Sequence, residues 1–132
     1  MPVETVDILA ELREDSQRIG EATTALYSAT VKLDGGFDDQ TGEIVTGVRT
    51  RWQEAYDEAL IELEERYLAE DRRLPAADIR TARVTRQIRE HQPELYAEYL
   101  ALTSRVKLLQ TTIQNRKAAV SARQSVLRGE RE

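Results

Sequence analysis

Along two long stretches of this chain, apolar residues recur at alternating steps of four and three. Ile8, Leu12, Ile19, Ala22, Leu26, Ala29 and Leu33 fall on one line, with Asp15 as the only polar residue in it. That spacing keeps one face of a helix apolar turn after turn and predicts a first helix from about Glu4 to Leu33. Leu95, Tyr99, Leu102, Val106, Leu109, Ile113, Val120 and Leu127 repeat the pattern. They predict a last helix from about Pro93 to Arg128, opened by a proline that a first turn tolerates and by Glu94, which suits the positive helix end. Arg116 and Arg123 occupy two late positions of this line where leucine is expected. Seams of this length suit a coiled-coil-like hairpin better than a compact globule.

Two shorter helices and an insert lie between them. Val48, Trp52, Ala55, Ala59, Leu63 and Tyr67, flanked by Tyr56 and Leu60, predict a helix from about Val48 to Arg72, and its other face carries Glu54, Asp57, Glu58, Glu62, Glu64 and Glu65. Leu74-Pro75 then imposes an extended residue and a turn. In a third helix, from about Ala76 to His91, the residues Ala77, Thr81, Val84 and Ile88 share one side. Arg80, Arg83, Arg86 and Arg89 each step back by about 60° and fan over the opposite half. Gly35-Gly36 breaks the first helix, because glycine supplies the left-handed conformation that ends helices. Residues 37–45 read as a short β-hairpin, with Phe37 and Ile44 expected to rest on the helices, since an isolated hairpin is marginal in water. The expected fold is therefore all-α, an elongated bundle of about four helices with a hairpin insert, forming one domain over residues 1–132. Only the final Gly129-Glu130-Arg131-Glu132 is expected to fray.

Charge changes this picture. Residues 1–71 carry 6 Lys/Arg and 18 Asp/Glu, whereas residues 72–132 carry 13 and 6. The formal net charge of −5 thus hides an acidic half joined to a basic one. Ile79 to Arg89 holds four arginines and no acid, and Thr103 to Arg128 holds six basic residues and no acid. Such segregation points to a polyanion, usually nucleic acid, or to an acidic protein partner. Along the last helix Arg105, Arg116 and Arg123 border one side of the seam and Lys117 and Arg128 the other. The far side holds Ser104, Thr111, Asn115, Ala118 and Ala122, small and uncharged, a face that suits another helix from a second subunit.

Composition narrows the classes. There is no cysteine, so disulfides and thiolate ligands are excluded. The first residues lack a basic, apolar signal segment, and no apolar run approaches the roughly 18 residues of a membrane span. A soluble protein of the cytoplasm is expected. Glu11 with Glu14, Glu54 with Asp57 and Glu62 with Glu65 have the spacing of magnesium ligands in an all-helical nucleotide pyrophosphohydrolase. In a chain this rich in acid such pairs also arise by chance, and no basic cluster among them would hold a triphosphate. No catalytic residue, metal ligand or cofactor is therefore assigned, and no enzymatic activity is expected. His91, the only histidine, reads as a capping or surface residue, and Trp52, Tyr96 and Tyr99 as packing residues.

The arginine fan has two readings. Guanidinium groups match phosphate oxygens two at a time and keep their charge at every relevant pH. Alternatively, the same groups pair with the acidic second helix and do nothing more. The motif Tyr56-Asp57-Glu58-Ala59, a proline-broken turn and a basic helix are followed by a long helix holding Leu102-Thr103-Ser104-Arg105-Val106-Lys107-Leu108-Leu109 and closing with Ala122-Arg123-Gln124-Ser125-Val126-Leu127-Arg128. From Arg51 onward, over about 80 residues, this order of elements resembles the small helical proteins of tailed-phage recombination and replication modules, the UvsY-type recombination mediators among them. The resemblance implies a non-enzymatic accessory factor that oligomerises and binds single-stranded DNA, with Arg80, Arg83, Arg86, Arg89, Arg105, Lys107, Arg116, Lys117 and Arg123 facing the strand. The acidic half would then contact a recombinase, a single-strand binding protein or a neighbouring subunit. The alternative is a helical adaptor or inhibitor, such as a virion assembly factor or an anti-defence DNA mimic, without a nucleic-acid role.

Overall fold

The computed structural model of the chain describes residues 3–131, with side chains from 5 to 129. Helix α1 spans Val3–Asp34, strands β1 and β2 span Gly36–Asp38 and Glu43–Val45, and helices α2, α3 and α4 span Val48–Ala69, Ala77–His91 and Pro93–Arg131. The fold is all-α with a small β insert, as the periodicity predicts. No helix among the described residues is long and apolar enough to cross a membrane. The chain divides into two compact units, Met1–Ala29 with Ser104–Glu132, and Thr30–Thr103.

The first unit pairs most of α1 with the distal part of α4. Glu11 meets Arg123, and Asp15, one turn further along α1, reaches back to Arg116 on α4, so the two helices run antiparallel. Both seams turn inward. Ala29 and Ile113 are buried, while Ile8, Leu12, Ile19, Leu26, Val106, Leu109, Val120 and Leu127 are half-buried. Two helices alone leave the flanks of such a seam open. Gly129 to Arg131 remain helical instead of fraying, and Glu132 lies outside the described residues.

The second unit holds the more enclosed core. Val48, Ala55, Ala59, Leu63 and Tyr67 of α2 pack with Val84 and Ile88 of α3 and Leu95 of α4. Val84 and Ile88 are almost fully enclosed, and each burial stabilises by roughly 1.5–3 kcal/mol. Ala77 and Thr81, expected on the same face, are exposed: the helix leaves the core at its first turns, and Thr81 turns its hydroxyl to Ala77 O and Tyr56 Oη instead. Trp52 stacks on Tyr99 with ring centroids 4.4 Å apart and meets Tyr96 at 6.2 Å, so the aromatics are packing residues. Gln92 alone separates α3 from α4, and Pro93 opens the latter.

The hairpin returns the chain to its starting point. Phe37 pairs with Ile44 across β1 and β2, and Gly42, in the left-handed region, closes the turn. Ile44 is 87% exposed and Phe37 about half exposed, so the expectation that Ile44 rests on the helices is corrected. The reason lies at the base of the hairpin, where contact is made by backbone. A Cβ on Gly47 would stand only 2.4 Å from the carbonyl carbon of Asp34, and one on Gly35 2.9 Å from Gly47 N. This glycine contact fastens the base of the insert. Beside it Arg49 Nε donates to Asp34 Oδ1 at 2.6 Å, and this hydrogen bond raises the arginine pKa further. Each charge has the wrong sign for its own helix end. Side by side, the two ends compensate one another.

Candidate nucleic-acid interface

The end of α2 sets the geometry of an arginine-rich concavity in the second unit. Asp71 adopts a left-handed conformation with φ of 51°, which Asp tolerates better than most residues. Asp71 N then donates to Leu68 O and Arg72 N to Tyr67 O, at 3.1 and 2.8 Å, the hydrogen-bond pair of a Schellman motif. The chain is thereby folded back over its own last turn. The consequence is that the Arg72 guanidinium lies over the Tyr67 ring, 4.7 Å from its centroid.

Tyr67 is only 5% exposed and forms a rigid floor. From α3, Arg83 approaches the same ring at 5.8 Å and donates to the Tyr67 hydroxyl. Around this floor, Arg66 and Tyr67 of α2, Arg72 of the loop and Arg83, Arg86 and His91 of α3 line a cleft of about 420 Å³, which Glu62 and Glu90 also border. Four guanidinium groups face two carboxylates. Arg86 pairs with Glu90 at 3.0 Å and Arg72 with Glu70 at 2.9 Å, all four side chains being about half exposed or more. Such exposed pairs are worth only about 0–1 kcal/mol. Among the described residues, neither Arg66 nor Arg83 has a carboxylate within ion-pair distance. Arg86 also borders a second cleft of about 340 Å³, formed with Ala82, Thr85, Arg89 and Tyr96.

The nine basic residues expected at one surface are divided between the units. Arg80, Arg83, Arg86 and Arg89 lie in the second, and Arg105, Lys107, Arg116, Lys117 and Arg123 in the first. On α3, Arg83, Arg86 and Arg89 are exposed and Arg80 is half-buried; on α4, Arg105, Lys107 and Lys117 are exposed. Arg116 and Arg123 behave differently. Arg116 donates to Asp15 Oδ1 at 2.9 Å, and Arg123 pairs with both Asp15 and Glu11. Asp15 itself is 3% exposed. The expectation that these two arginines face a strand is corrected: a carboxylate buried in an apolar seam needs cationic partners, and it holds them inside the helix pair.

Arg66 and Arg72 complete the cleft and were not among the expected residues. Arg66 sits at the end of an acid-rich helix and Arg72 just beyond it, so neither belongs to a basic run. The acidic signal of α2 masked them. Ser104, Thr111, Asn115, Ala118 and Ala122 of α4 are all exposed, together with Leu108 and Val126. His91 turns Nδ1 to the carbonyl of Gln87 in the last turn of α3. No group of three or more His, Asp or Glu is placed to hold a metal ion among the described residues. Comparison with known proteins finds no match for this chain, neither a family model, nor a curated protein, nor a solved structure.

Proposed function

We propose that the protein is a non-enzymatic accessory factor of phage-type DNA recombination or replication, acting in the host cytoplasm and binding single-stranded DNA through the basic surface of α3 and the cleft beside it. The observation that carries this reading is the set of guanidinium groups in the second unit that no carboxylate holds strongly. Arg66, Arg80, Arg83 and Arg89 have no ion pair among the described residues, and the pair made by Arg86 is exposed and weak. Arginines so placed offer paired donors to phosphate oxygens without reading bases. Self-association through the small, uncharged face of α4 would multiply such weak sites on one strand.

A fluorescent single-stranded oligonucleotide titrated at two salt concentrations tests this. Binding should weaken steeply with salt as counterions return to the strand. Replacing Arg80, Arg83, Arg86 and Arg89 by Ala should lower affinity for every sequence alike and flatten the salt dependence by about one unit of slope per lost contact. Absence of binding at low salt would remove the proposal.

A second reading has its own support. Glu54, Asp57, Glu58, Glu64 and Glu65 of α2 are exposed together, an acidic face suited to a basic protein partner or to mimicry of nucleic acid. An adaptor or inhibitor of this kind would capture a basic protein and leave oligonucleotides free.

A further inference from the structure

We infer that the cleft around Tyr67 is a site for a phosphomonoester dianion, and that on DNA it receives the phosphorylated end of a single strand. The inference rests on the nucleic-acid reading and sharpens it. Arginines that only track a strand are strung along a groove, whereas Arg66, Arg72, Arg83 and Arg86 converge on one cleft. Its four guanidinium groups stand against Glu62 and Glu90 in the lining and against Glu70, which holds Arg72 in an exposed pair that a stronger anion can displace. An internal phosphodiester carries one negative charge, while a terminal phosphomonoester carries nearly two near neutrality. The doubly charged group, with more oxyanion charge for convergent guanidinium groups, competes better with those exposed carboxylates than an internal phosphodiester does.

Preorganisation points the same way. One buried ring holds two of the four guanidinium groups, Arg72 over its face and Arg83 through both face and hydroxyl, and the Schellman turn fixes the Arg72 backbone to Tyr67 O. Groups ordered in advance lose little freedom when a ligand arrives. Arg86 is the shared wall. It stands in both the Tyr67 cleft and the neighbouring one lined by Arg89 and Tyr96, so a chain leaving the first enters a second with a cation and an aromatic edge. A terminal phosphate would dock in one and the following nucleotide in the other.

The test uses one short oligonucleotide sequence with a 5′-phosphate, a 3′-phosphate or hydroxyls at both ends, titrated into the full chain. At least one phosphorylated form should bind about tenfold more tightly than the hydroxyl form, as charge-assisted hydrogen bonds to an added oxyanion predict. Arg66→Ala should weaken a phosphorylated end more than a hydroxyl end and so erase most of that preference, with the unfolding midpoint unchanged because Arg66 has no ion pair among the described residues whose loss would disturb folding. Arg72→Lys, which keeps the charge and loses the fork, should reduce the preference without abolishing it. Equal, salt-dependent binding of all three oligonucleotides would overturn the inference and leave the proposed function standing. If no oligonucleotide binds, calorimetry with inorganic phosphate and pyrophosphate decides. Heat of binding abolished by Arg66→Ala would keep the dianion site, with a free phosphate compound as its source, and remove the DNA reading; no heat would overturn both.

Discussion

The carboxylate of Asp15 accepts a hydrogen bond from Arg116 at 2.9 Å across a sequence separation of 101 residues. It lies in the apolar seam of α1, and Arg123 pairs with its other oxygen. A seam of aliphatic side chains can slide by a heptad with little loss. One buried charge matched to two arginines cannot slide. We therefore assign the triad to register and antiparallel orientation in the first unit.

Asp15→Ala should destabilise the chain by about 2–3 kcal/mol, somewhat below the loss typical of a fully buried pair because both arginines keep about a third of their side chains in water. Urea unfolding followed by circular dichroism measures it. Replacing Asp15, Arg116 and Arg123 together by Leu should leave stability unchanged or raise it by about 1–4 kcal/mol. The expected cost is fidelity of pairing, seen as mixed species in size-exclusion chromatography.

Arg116→Ala and Arg80→Ala should separate structure from binding. The first leaves Asp15 short of one partner and should lower the unfolding midpoint, with oligonucleotide affinity following only through loss of folded protein. The second should leave the midpoint within about 0.5 kcal/mol of stability and act on affinity. Parallel denaturation and fluorescence titrations distinguish them.

Glycines provide a matched contrast. At Gly47 an added methyl would enter the backbone of residues 33–35, and Gly47→Ala should cost about 1–3 kcal/mol or more, as overpacking does. Gly20 lies inside α1 with nothing within 4 Å of an added Cβ. Gly20→Ala should stabilise by about 0.5–1 kcal/mol through helix propensity. Thermal melts of the two variants should move in opposite directions.

Tyr67→Phe removes the hydroxyl that orders Arg83 and keeps the ring. A loss near 1 kcal/mol is expected from one hydrogen bond, against about 3–5 kcal/mol for Tyr67→Ala, which empties a buried aromatic site. Ile44→Ser, on a side chain open to water, should change stability by less than about 0.5 kcal/mol.

Periodicity made the helices legible. The apolar lines of α1, α2 and α4 fall where the buried and half-buried residues lie, and Gly35-Gly36, Leu74-Pro75 and Pro93 mark the breaks, because local backbone rules act within a few residues. Part of the candidate site was legible too, since four arginines at three-residue spacing announce a basic helix face. The chain could not disclose that its acidic and basic halves interleave. In each unit an acidic helix lies beside a basic one, α1 against α4 and α2 against α3, and this pairing consumed Arg116 and Arg123 and spared Arg83 and Arg89.

What the sequence determined by itself was the set of helices, their apolar faces and the separation of charge along the chain, all properties of neighbours at one, three or four residues. The tertiary structure alone decided which cations remain open to solvent, that Arg66 and Arg72 join the α3 arginines around Tyr67, and that Asp15 is buried with two arginines. Those outcomes depend on Coulomb and packing terms between residues far apart in the chain. Such terms take their value only when the fold has brought the partners within a few ångströms and removed the water between them.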